Sequence, residues 1–320
     1  MSLLFLLLTV CILTNSDYSL YYALTGLNLW FQKMIPSLLP FMILSGIMIQ
    51  MSLTEKFIFF LYPIIKPLFR ISKNVCYVIF MGFLCGFPMG AKTVAQMLLQ
   101  GKITKREAAF LLAFCNNIGP VYFCSFVLPL LNIPLRNAEP YLFGMYGIPF
   151  LYGILLRYTL FRDLALVNTP SSQITKPLSL SATTAANSKA KFFNATPKSP
   201  GLLNAIDTAI QTALDSILTL GGYMILFNVL NLPVHIVLGK RPVLLAPFLE
   251  ITGGLQMLGG AQPLYALILL PFGGLCCIAQ TNSCIKNTDL SIIPYVLHKV
   301  FLTGLTFSYY MVWGLLSSRF

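Results

Sequence analysis

Apolar runs of about 20 residues, separated by short loops, constrain this chain more than any other feature of its sequence. A helix of that length crosses about 30 Å of hydrocarbon. Only 9% of the residues are charged and 57% are hydrophobic, whereas a soluble domain has roughly 25% charged residues. Such a chain cannot cover itself with a water-compatible surface. We therefore predict an all-α membrane protein, built as a polytopic helical bundle in a lipid bilayer.

The formal net charge of +12 does not indicate a nucleic-acid partner. The basic residues lie in the short loops between apolar runs, and this distribution orients helical membrane proteins with their positive loops inside. Nearly all of the eight cysteines lie in apolar segments, and no Cys-x-x-Cys pair occurs. Neither a zinc site nor a redox motif is therefore indicated. We expect no nucleic acid, no metal and no cofactor.

The interruptions between apolar runs divide the chain into four parts. Residues 1–33 are predicted to form a retained first helix (Ser2–Thr14) and an interfacial segment. Residues 34–162 form a first repeat and residues 201–320 a second. Residues 163–200, which are rich in Ser, Thr, Ala, Pro and Lys, are predicted to be a disordered cytoplasmic linker. The linker therefore starts the second repeat on the cytoplasmic side.

Each repeat contains an apolar segment that is interrupted in its middle. In the first repeat, residues 75–99 are broken at Gly86–Gly90, and basic loops flank the segment on both sides. Both ends then lie on one face, which predicts a re-entrant hairpin. In the second repeat, residues 242–262 are broken at Thr252–Gly254. Broken backbone at membrane depth is tolerated only where protein buries it or water lines it.

The two repeats are predicted to have inverted topology. The second begins on the cytoplasmic side, so its hairpin enters from the outside, opposite to the first. Two basic residues at 240–241 would then lie outside, which opposes this orientation. Matched broken segments in two inverted halves are the sequence pattern that marks a transporter's binding site.

The candidate site follows from charges and helix breaks within the apolar segments. An ionisable group at the bilayer centre costs about 2.5 kcal/mol or more, so Lys92 and Glu250, which flank the two breaks, are candidates. Half-helix N-termini at the breaks carry a positive partial charge that suits carboxylates or phosphates. The predicted substrate-binding residues lie at the breaks and in nearby polar stretches: Gly86, Phe87, Pro88, Gly90, Ala91, Lys92, Asn116, Asn117, Glu250, Thr252, Gly253, Gly254, Gln280, Asn282 and Ser283.

Structural interpretations of the same residues stay open. The glycines also fit close helix packing without a ligand. Lys92 also fits an ammonium that snorkels to the interface, and Glu250 a structural partner of Lys92. Asp207 and Asp215 fit an interfacial or structurally paired position better than a site. An enzyme is not predicted, because the chain has no Asp-rich metal motif, no Ser–His–Asp set and no Gly-rich nucleotide loop.

The ordered set of these motifs resembles the sporulation integral membrane proteins of the YlbJ family, which belong with the nucleoside-recognition (Gate) domains. The resemblance covers about residues 20 to 312 and leaves out the first helix and the linker. The stretches that carry it are PSLLPF (36–41), KPLFR (66–70), GFPMGAK (86–92), FCNNIGP (114–120), LEITGG (249–254), FGGL (272–275) and AQ (279–280).

The resemblance implies a carrier related in design to concentrative nucleoside transporters. It also implies dipicolinic acid, a small aromatic dicarboxylate, as the solute, and the outer forespore membrane as the location. Together with the residues, it predicts an organic-anion transporter that works by alternating access, with the two hairpins as gates. Coupling to protons or sodium stays open, with Glu250 the candidate for protons. A homo-oligomer is not excluded.

Two alternatives remain. In the first, the solute is a nucleoside or another neutral molecule, and the Glu250 carboxylate would accept hydrogen bonds from its hydroxyl groups. Otherwise the chain is a membrane-embedded enzyme or a scaffold for spore envelope assembly, and transports nothing.

Overall fold

In the computed structural model, all regular structure in residues 2–51, 53–164 and 201–317 is helical, so the predicted all-α class is confirmed for the part of the chain that is described. The predicted linker lies almost entirely at residues 165–200, outside the described residues. In chain order the helices are α1 (Ser2–Thr14), α2 (Ser16–Gln50), α3 (Tyr62–Phe69), α4 (Lys73–Cys85), α5 (Met89–Leu99), α6 (Lys105–Phe114), α7 (Pro120–Leu130), α8 (residues 139–158), α9 (Leu202–Leu238), α10 (Ala246–Leu249), α11 (Ile251–Leu258), α12 (Pro263–Leu269), α13 (Gly274–Ile285) and α14 (Ile292–Ser317).

Three helical segments of the described chain are long and apolar enough to cross a membrane: α2, α9 and the combined run Pro263–Ile285. A fourth is added if α3 and α4, which meet at a bend of 102°, count as one broken span. The predicted crossings over residues 108–128, 141–160 and 294–315 are not among them. The first of these is broken at residues 115–119, the second carries Tyr, Gly and Pro, and α14 carries His298 and Lys299.

Apolar side chains cover much of the outer surface of the long helices. Leu203 and Val237 on α9 are 76% and 84% exposed, and Leu315 on α14 is 81% exposed. Soluble monomers rarely expose contiguous apolar surface of this extent. Lipid tails are the environment that such a surface fits.

The structure places no helix boundary between the predicted interfacial segment and the first repeat. Instead, α2 runs unbroken from Ser16 to Gln50. A π-turn over Trp30–Met34 immediately precedes Pro36. Because a π-turn relaxes the hydrogen-bond ladder locally, it lets the helix continue through a residue that lacks an N–H donor. The residues predicted to be interfacial are therefore continuous with the first repeat in one helix, and their place at the interface stays a prediction.

Helices α2 and α9 pack antiparallel as the long central pair of the bundle. Gly46 lies opposite Ala209, and the Trp30 indole donates to the Ile217 carbonyl (2.8 Å). A Cβ at Gly26 would come within 2.9 Å of the Met224 carbonyl oxygen. Small residues let the two backbones approach closely. Close packing holds helices together in a bilayer because lipid is as apolar as their side chains, so no hydrophobic effect drives them together.

One buried arginine connects the ends of several helices. Arg157 near the end of α8 is 5% exposed. Its guanidinium donates to the carbonyl of Phe69 at the end of α3 (2.6 Å) and to that of Phe161 (2.8 Å), and also to the Leu164 carbonyl. The last carbonyls of a helix have no intrahelical donor, so Arg157 satisfies acceptors that α3 and the segment after α8 would leave unpaired.

Candidate functional site

Four interruptions of helices lie within the described bundle. They separate α4 from α5 (residues 86–88), α6 from α7 (115–119), α10 from α11 (Glu250) and α12 from α13 (270–273). The first break is where the Gly- and Pro-containing sequence predicted it. The second predicted break, at Thr252–Gly254, was wrong by two residues: the helix is interrupted at Glu250, and Thr252–Gly254 form the first turn of α11. Two further breaks therefore accompany the two predicted hairpins.

The four breaks contact one another through glycine. Gly86 (φ +84°) lies against the backbone N of Gly119, so a Cβ has no room there. A Cβ at Gly274 would come within 2.9 Å of the Pro247 carbonyl oxygen. The two pairs of breaks meet at the Phe87 ring, which would lie 3.0 Å from a Cβ at Gly273. The Phe87–Pro88 peptide bond is cis.

The predicted site glycines contribute close packing. A Cβ at Gly90 would come within 2.6 Å of the Cys115 carbonyl oxygen. A Cβ at Gly253 would overlap Asn228 Oδ1, and one at Gly254 would overlap the backbone of Pro247. These contacts are those expected under the packing interpretation of the glycines.

Glu250 caps the helix that follows it. This carboxylate is 2% exposed. Its Oε1 accepts from the Thr252 N–H (3.0 Å), and its Oε2 accepts from the Gly253 N–H (2.6 Å) and from Asn228 Nδ2 (3.1 Å). The N–H groups of Thr252 and Gly253 that were predicted to face a solute anion therefore already hold the chain's own carboxylate. Because Glu250 is the N-cap of the same helix, its carboxylate reaches these donors without having to bind from solution. This is why the donors hold Glu250 where a solute anion was predicted.

Lys92 is bound to α9 and makes no pair with Glu250. Its ammonium donates to the Thr212 carbonyl oxygen (3.1 Å) and to Ser216 Oγ. The alternative interpretation of Glu250 as a structural partner of Lys92 was wrong, because each residue finds its hydrogen-bond partners elsewhere. Lys92 is only half-buried and lines a cavity between α5, α9 and α13.

Lys299 on α14 is the buried charge that the sequence analysis missed. It is fully buried, and its Nζ donates to the Asn116 carbonyl oxygen and to Asn117 Oδ1 (3.1 Å). The ring of Phe87 lies 4.7 Å away. The criterion that selected Lys92 and Glu250, an ionisable group inside an apolar segment, applies equally to Lys299.

Asn116 links the second break to three other helices. Its Oδ1 accepts from the Ala91 N–H of α5 (3.3 Å), and its Nδ2 donates to Thr281 Oγ1 (2.9 Å) and to the Tyr295 hydroxyl (3.1 Å). The neighbouring Asn117 donates through Nδ2 to the Phe114 carbonyl (2.7 Å) at the end of α6. Both amides are fully buried, so they hold the broken backbone in place.

A cleft with a cavity volume of about 50 Å³, here called the central cleft, lies where the breaks meet. The predicted residues that it brings together are Phe87, Glu250, Thr252 and Gln280. Sequence reasoning did not select the other members of its lining, which come from α2, α7, α9, α11, α13 and the 115–119 break: Met34, Ser37, Leu38, Ile118, Gly119, Tyr122, Leu220, Met224, Ile251 and Cys277. The lining is apolar and aromatic with a few polar groups, as in most small-molecule sites.

Two larger cavities accompany the central cleft. The Lys92 vestibule (about 700 Å³) is lined by Pro88, Lys92, Asp215, Ser283 and Lys286 among others, and it shares Leu220 and Gln280 with the central cleft. The Arg241 vestibule (about 540 Å³) is lined by Tyr21, Asn28, Gln32, Lys33, Arg241 and Gln256 among others. Lys33 directly precedes Met34 of the central cleft.

The half-helices lead from the breaks toward different vestibules. Helices α5 and α13 contribute Lys92 and Ser283 to the Lys92 vestibule. Helices α7 and α11 contribute Phe126 and Gln256 to the Arg241 vestibule. Each half of the chain therefore sends one half-helix to each cavity.

The remaining predicted residues are placed as follows. Asn116, Asn117 and Ala91 belong to the buried network around Lys299 and are not part of the central cleft lining. Asn282 is exposed and lines neither the central cleft nor the Lys92 vestibule. It follows Gln280 and Thr281 on α13, and a helix turns these successive side chains to different faces.

Residues 31–138 match the family model described as Gate, nucleoside recognition. Over 92% of this chain and 78% of the relative, the sequence is 24% identical to the sporulation integral membrane protein YlbJ of Bacillus subtilis (strain 168). The expected resemblance to the YlbJ and Gate proteins is confirmed. The Gate match contains the first two breaks, and the similarity to YlbJ extends into the second half. No solved structure matches the chain.

Proposed function

We propose that this chain is an integral membrane transporter that carries a small polar organic solute through the central cleft by alternating access. The observation that carries the proposal is that three helix breaks line one cleft, through Phe87, through Ile118 and Gly119, and through Glu250. The fourth break packs against the Phe87 ring through Gly273, and two larger cavities are lined by different half-helices. Broken backbone in a membrane protein requires burial or a water-lined cavity, and here both conditions are available. A scaffold or a membrane anchor needs neither a central cleft nor matched breaks.

Two inverted repeats fit the directions of the half-helices. The second arm of the first hairpin, α5, and the second arm of the second, α11, lead to different vestibules, and α7 and α13 differ in the same way. Repeats of opposite topology produce this relation, and repeats of the same topology do not. The two hairpins then act as gates, each closing the cleft from one side.

The first candidate solute is a small organic anion such as dipicolinate. Lys92 and Lys286 line the Lys92 vestibule with one carboxylate, Asp215, and this gives an entering anion a net positive surface. Phe87 and Tyr122 line the central cleft and supply ring contacts. The similarity to a sporulation membrane protein makes a sporulating bacterium, and its outer forespore membrane, the proposed setting.

The second candidate solute is a nucleoside or another neutral polar molecule. Glu250 lines the central cleft, and no basic side chain belongs to its described lining. A buried carboxylate repels an anion but accepts hydrogen bonds from hydroxyl groups. The matched family is described as nucleoside recognition, which agrees with this candidate. Protons or sodium are the proposed coupling ions for either solute.

Uptake by purified protein in proteoliposomes tests both candidates. Radiolabelled dipicolinate and radiolabelled uridine are supplied separately, with each unlabelled compound as competitor for the other. Time-dependent accumulation of either one above that in protein-free vesicles supports transport and selects the solute. Accumulation of neither, with protein that is monodisperse and correctly inserted, would contradict the choice of these two solutes.

Replacement of Lys92 separates the two candidates further. If the solute is an anion, Lys92→Ala lowers uptake strongly, because the vestibule loses the ammonium nearest the breaks. Lys73→Ala is the matched control. Lys73 lies at the start of the same proposed hairpin, but it is exposed and lines neither the central cleft nor the Lys92 vestibule. Equal uptake by the two variants would remove Lys92 from the proposal and favour the neutral solute.

A further inference from the structure

Lys299 occupies the second helix break in the manner of a bound cation. Its Nζ contacts the main-chain carbonyl of Asn116 and the amide oxygen of Asn117, and the Phe87 ring faces it at 4.7 Å. In the described part of the chain no carboxylate is within ion-pair distance of this ammonium. The groups around the charge are neutral oxygens, the rings of Phe87 and Tyr295 and the thiols of Cys115 and Cys277.

The break itself supplies the negative potential that holds this charge. Helix α6 ends at Phe114, so its last carbonyls and those of residues 115–117 are not used by a continuing helix. The C-terminus of a helix carries a negative partial charge, and its last carbonyls lack intrahelical donors. Unwound carbonyls and half-helix C-termini are the groups that bind a coupling Na⁺ in transporters with discontinuous helices.

The oxygens around Lys299 are held in position by contacts that do not involve Lys299. The Asn116 side chain is fixed by Ala91, Thr281 and Tyr295. The Asn117 amide is fixed through its Nδ2 by the Phe114 carbonyl. Removal of the ammonium would therefore leave a buried, preformed pair of oxygen ligands without a donor.

We propose that Lys299 is a tethered replacement for a monovalent metal cation, so that the break at residues 115–119 is stabilised without Na⁺. The Asn116 carbonyl oxygen and the Asn117 amide oxygen would be ligands for Na⁺ if the lysine side chain were absent. For coupling, and here the inference rests on the proposed transport function, the consequence is a carrier whose uptake does not depend on Na⁺, which leaves protons of the two coupling ions proposed above.

The melting temperature of the purified full-length chain tests this assignment without any transported solute. The protein in detergent is heated in NaCl, KCl or choline chloride at equal ionic strength. We expect the wild type to melt at the same temperature in all three salts. We expect Lys299→Ala to melt at a lower temperature, and Na⁺ to raise that temperature selectively, with saturation as its concentration increases.

Lys299→Met is the matched control, because its unbranched side chain fills most of the same space and carries no charge. We expect it to be destabilised and to show no selective response to Na⁺. If Lys299→Ala does not yield folded protein, Lys299→Ser opens the same space and adds one oxygen ligand. Selective stabilisation of the wild type by Na⁺, equal responses of the Ala and Met variants, or no response of a folded small-residue variant would each overturn the proposal.

Uptake measurements keep this inference distinct from the proposed function. If the wild type transports dipicolinate or uridine, we expect equal initial rates with Na⁺ or choline outside at a fixed pH and membrane potential. A loss of uptake in choline overturns the inference while the transport function stands. If neither solute is transported, the melting experiment still decides whether Lys299 fills a cation site.

Discussion

Gly253 in the first turn of α11 packs tightly against Asn228 of α9. A methyl group there would overlap Asn228 Oδ1, and Asn228 in turn donates to Glu250. We expect Gly253→Ala to lower the free energy of unfolding by about 1–3 kcal/mol, the usual cost of overpacking a filled interior, and to reduce uptake. Unfolding by titration with SDS and uptake in proteoliposomes measure the two effects.

Gly222→Ala is the control for that substitution. Gly222 lies on α9, and nothing approaches the position of its Cβ within 4 Å. Alanine is favoured over glycine in a helix by up to about 1 kcal/mol, so this variant should be as stable as the wild type or more stable. Similar losses in both variants would mean that the close approach at Gly253 is not what the substitution disturbs.

At the scale of single residues, Glu250 could be identified from the sequence, but the contacts of its carboxylate could not. A short acid in an apolar segment is visible in the sequence, whereas its bonds to Thr252 and Gly253 depend on where the helix begins. Lys299 was missed although the same criterion selects it. Its acceptors, Asn116 and Asn117, lie more than 180 residues earlier in the chain, and no spacing rule relates positions so far apart.

At the scale of elements, Arg157 provides the clearest test of how the helix ends are held. Its guanidinium bonds carbonyls of Phe69, Phe161 and Leu164 at once. Lysine has the same charge but not the fork of five donors. We expect Arg157→Lys to lower the unfolding free energy by roughly 1–3 kcal/mol, the cost of leaving a buried acceptor unpaired, as measured by the SDS titration.

Arg162→Lys is the comparison for Arg157→Lys. Arg162 is exposed, so solvent can hydrate either an arginine or a lysine side chain at this position. Its variant should unfold at the same SDS concentration as the wild type. If the two variants were equally stable, the carbonyl contacts of Arg157 would not contribute measurably to the bundle.

The helix breaks were predictable where local sequence decides them. Glycine and proline at residues 86–88 end α4 whatever surrounds it, and the polar pair before Gly119 and Pro120 similarly interrupts α6 and α7. The continuation of α2 through Pro36 was not predictable, because it depends on a π-turn and on packing along α9. The displacement of the second break to Glu250 likewise depends on tertiary contacts with Asn228.

At the scale of the whole molecule, the proposed inverted repeats predict that the two vestibules open to opposite sides of the membrane. Ser283 lines the Lys92 vestibule and Gln256 the Arg241 vestibule. We expect Ser283→Cys and Gln256→Cys, each in a background without the native cysteines, to react with a membrane-impermeant thiol reagent from opposite sides of oriented vesicles. Reaction of both from the same side would contradict inverted repeats.

In the proposed alternating access, the central cleft opens in turn to each side of the membrane. Thr252 lines that cleft beside Glu250 and is 4% exposed, so Thr252→Cys in the same cysteine-free background reports on access. The measurement is the rate at which the impermeant reagent modifies this thiol from each side of the vesicle, with and without the transported solute. Alternating access predicts modification from both sides, slowed by the solute. Modification from neither side, or from one side only with or without the solute, would contradict it.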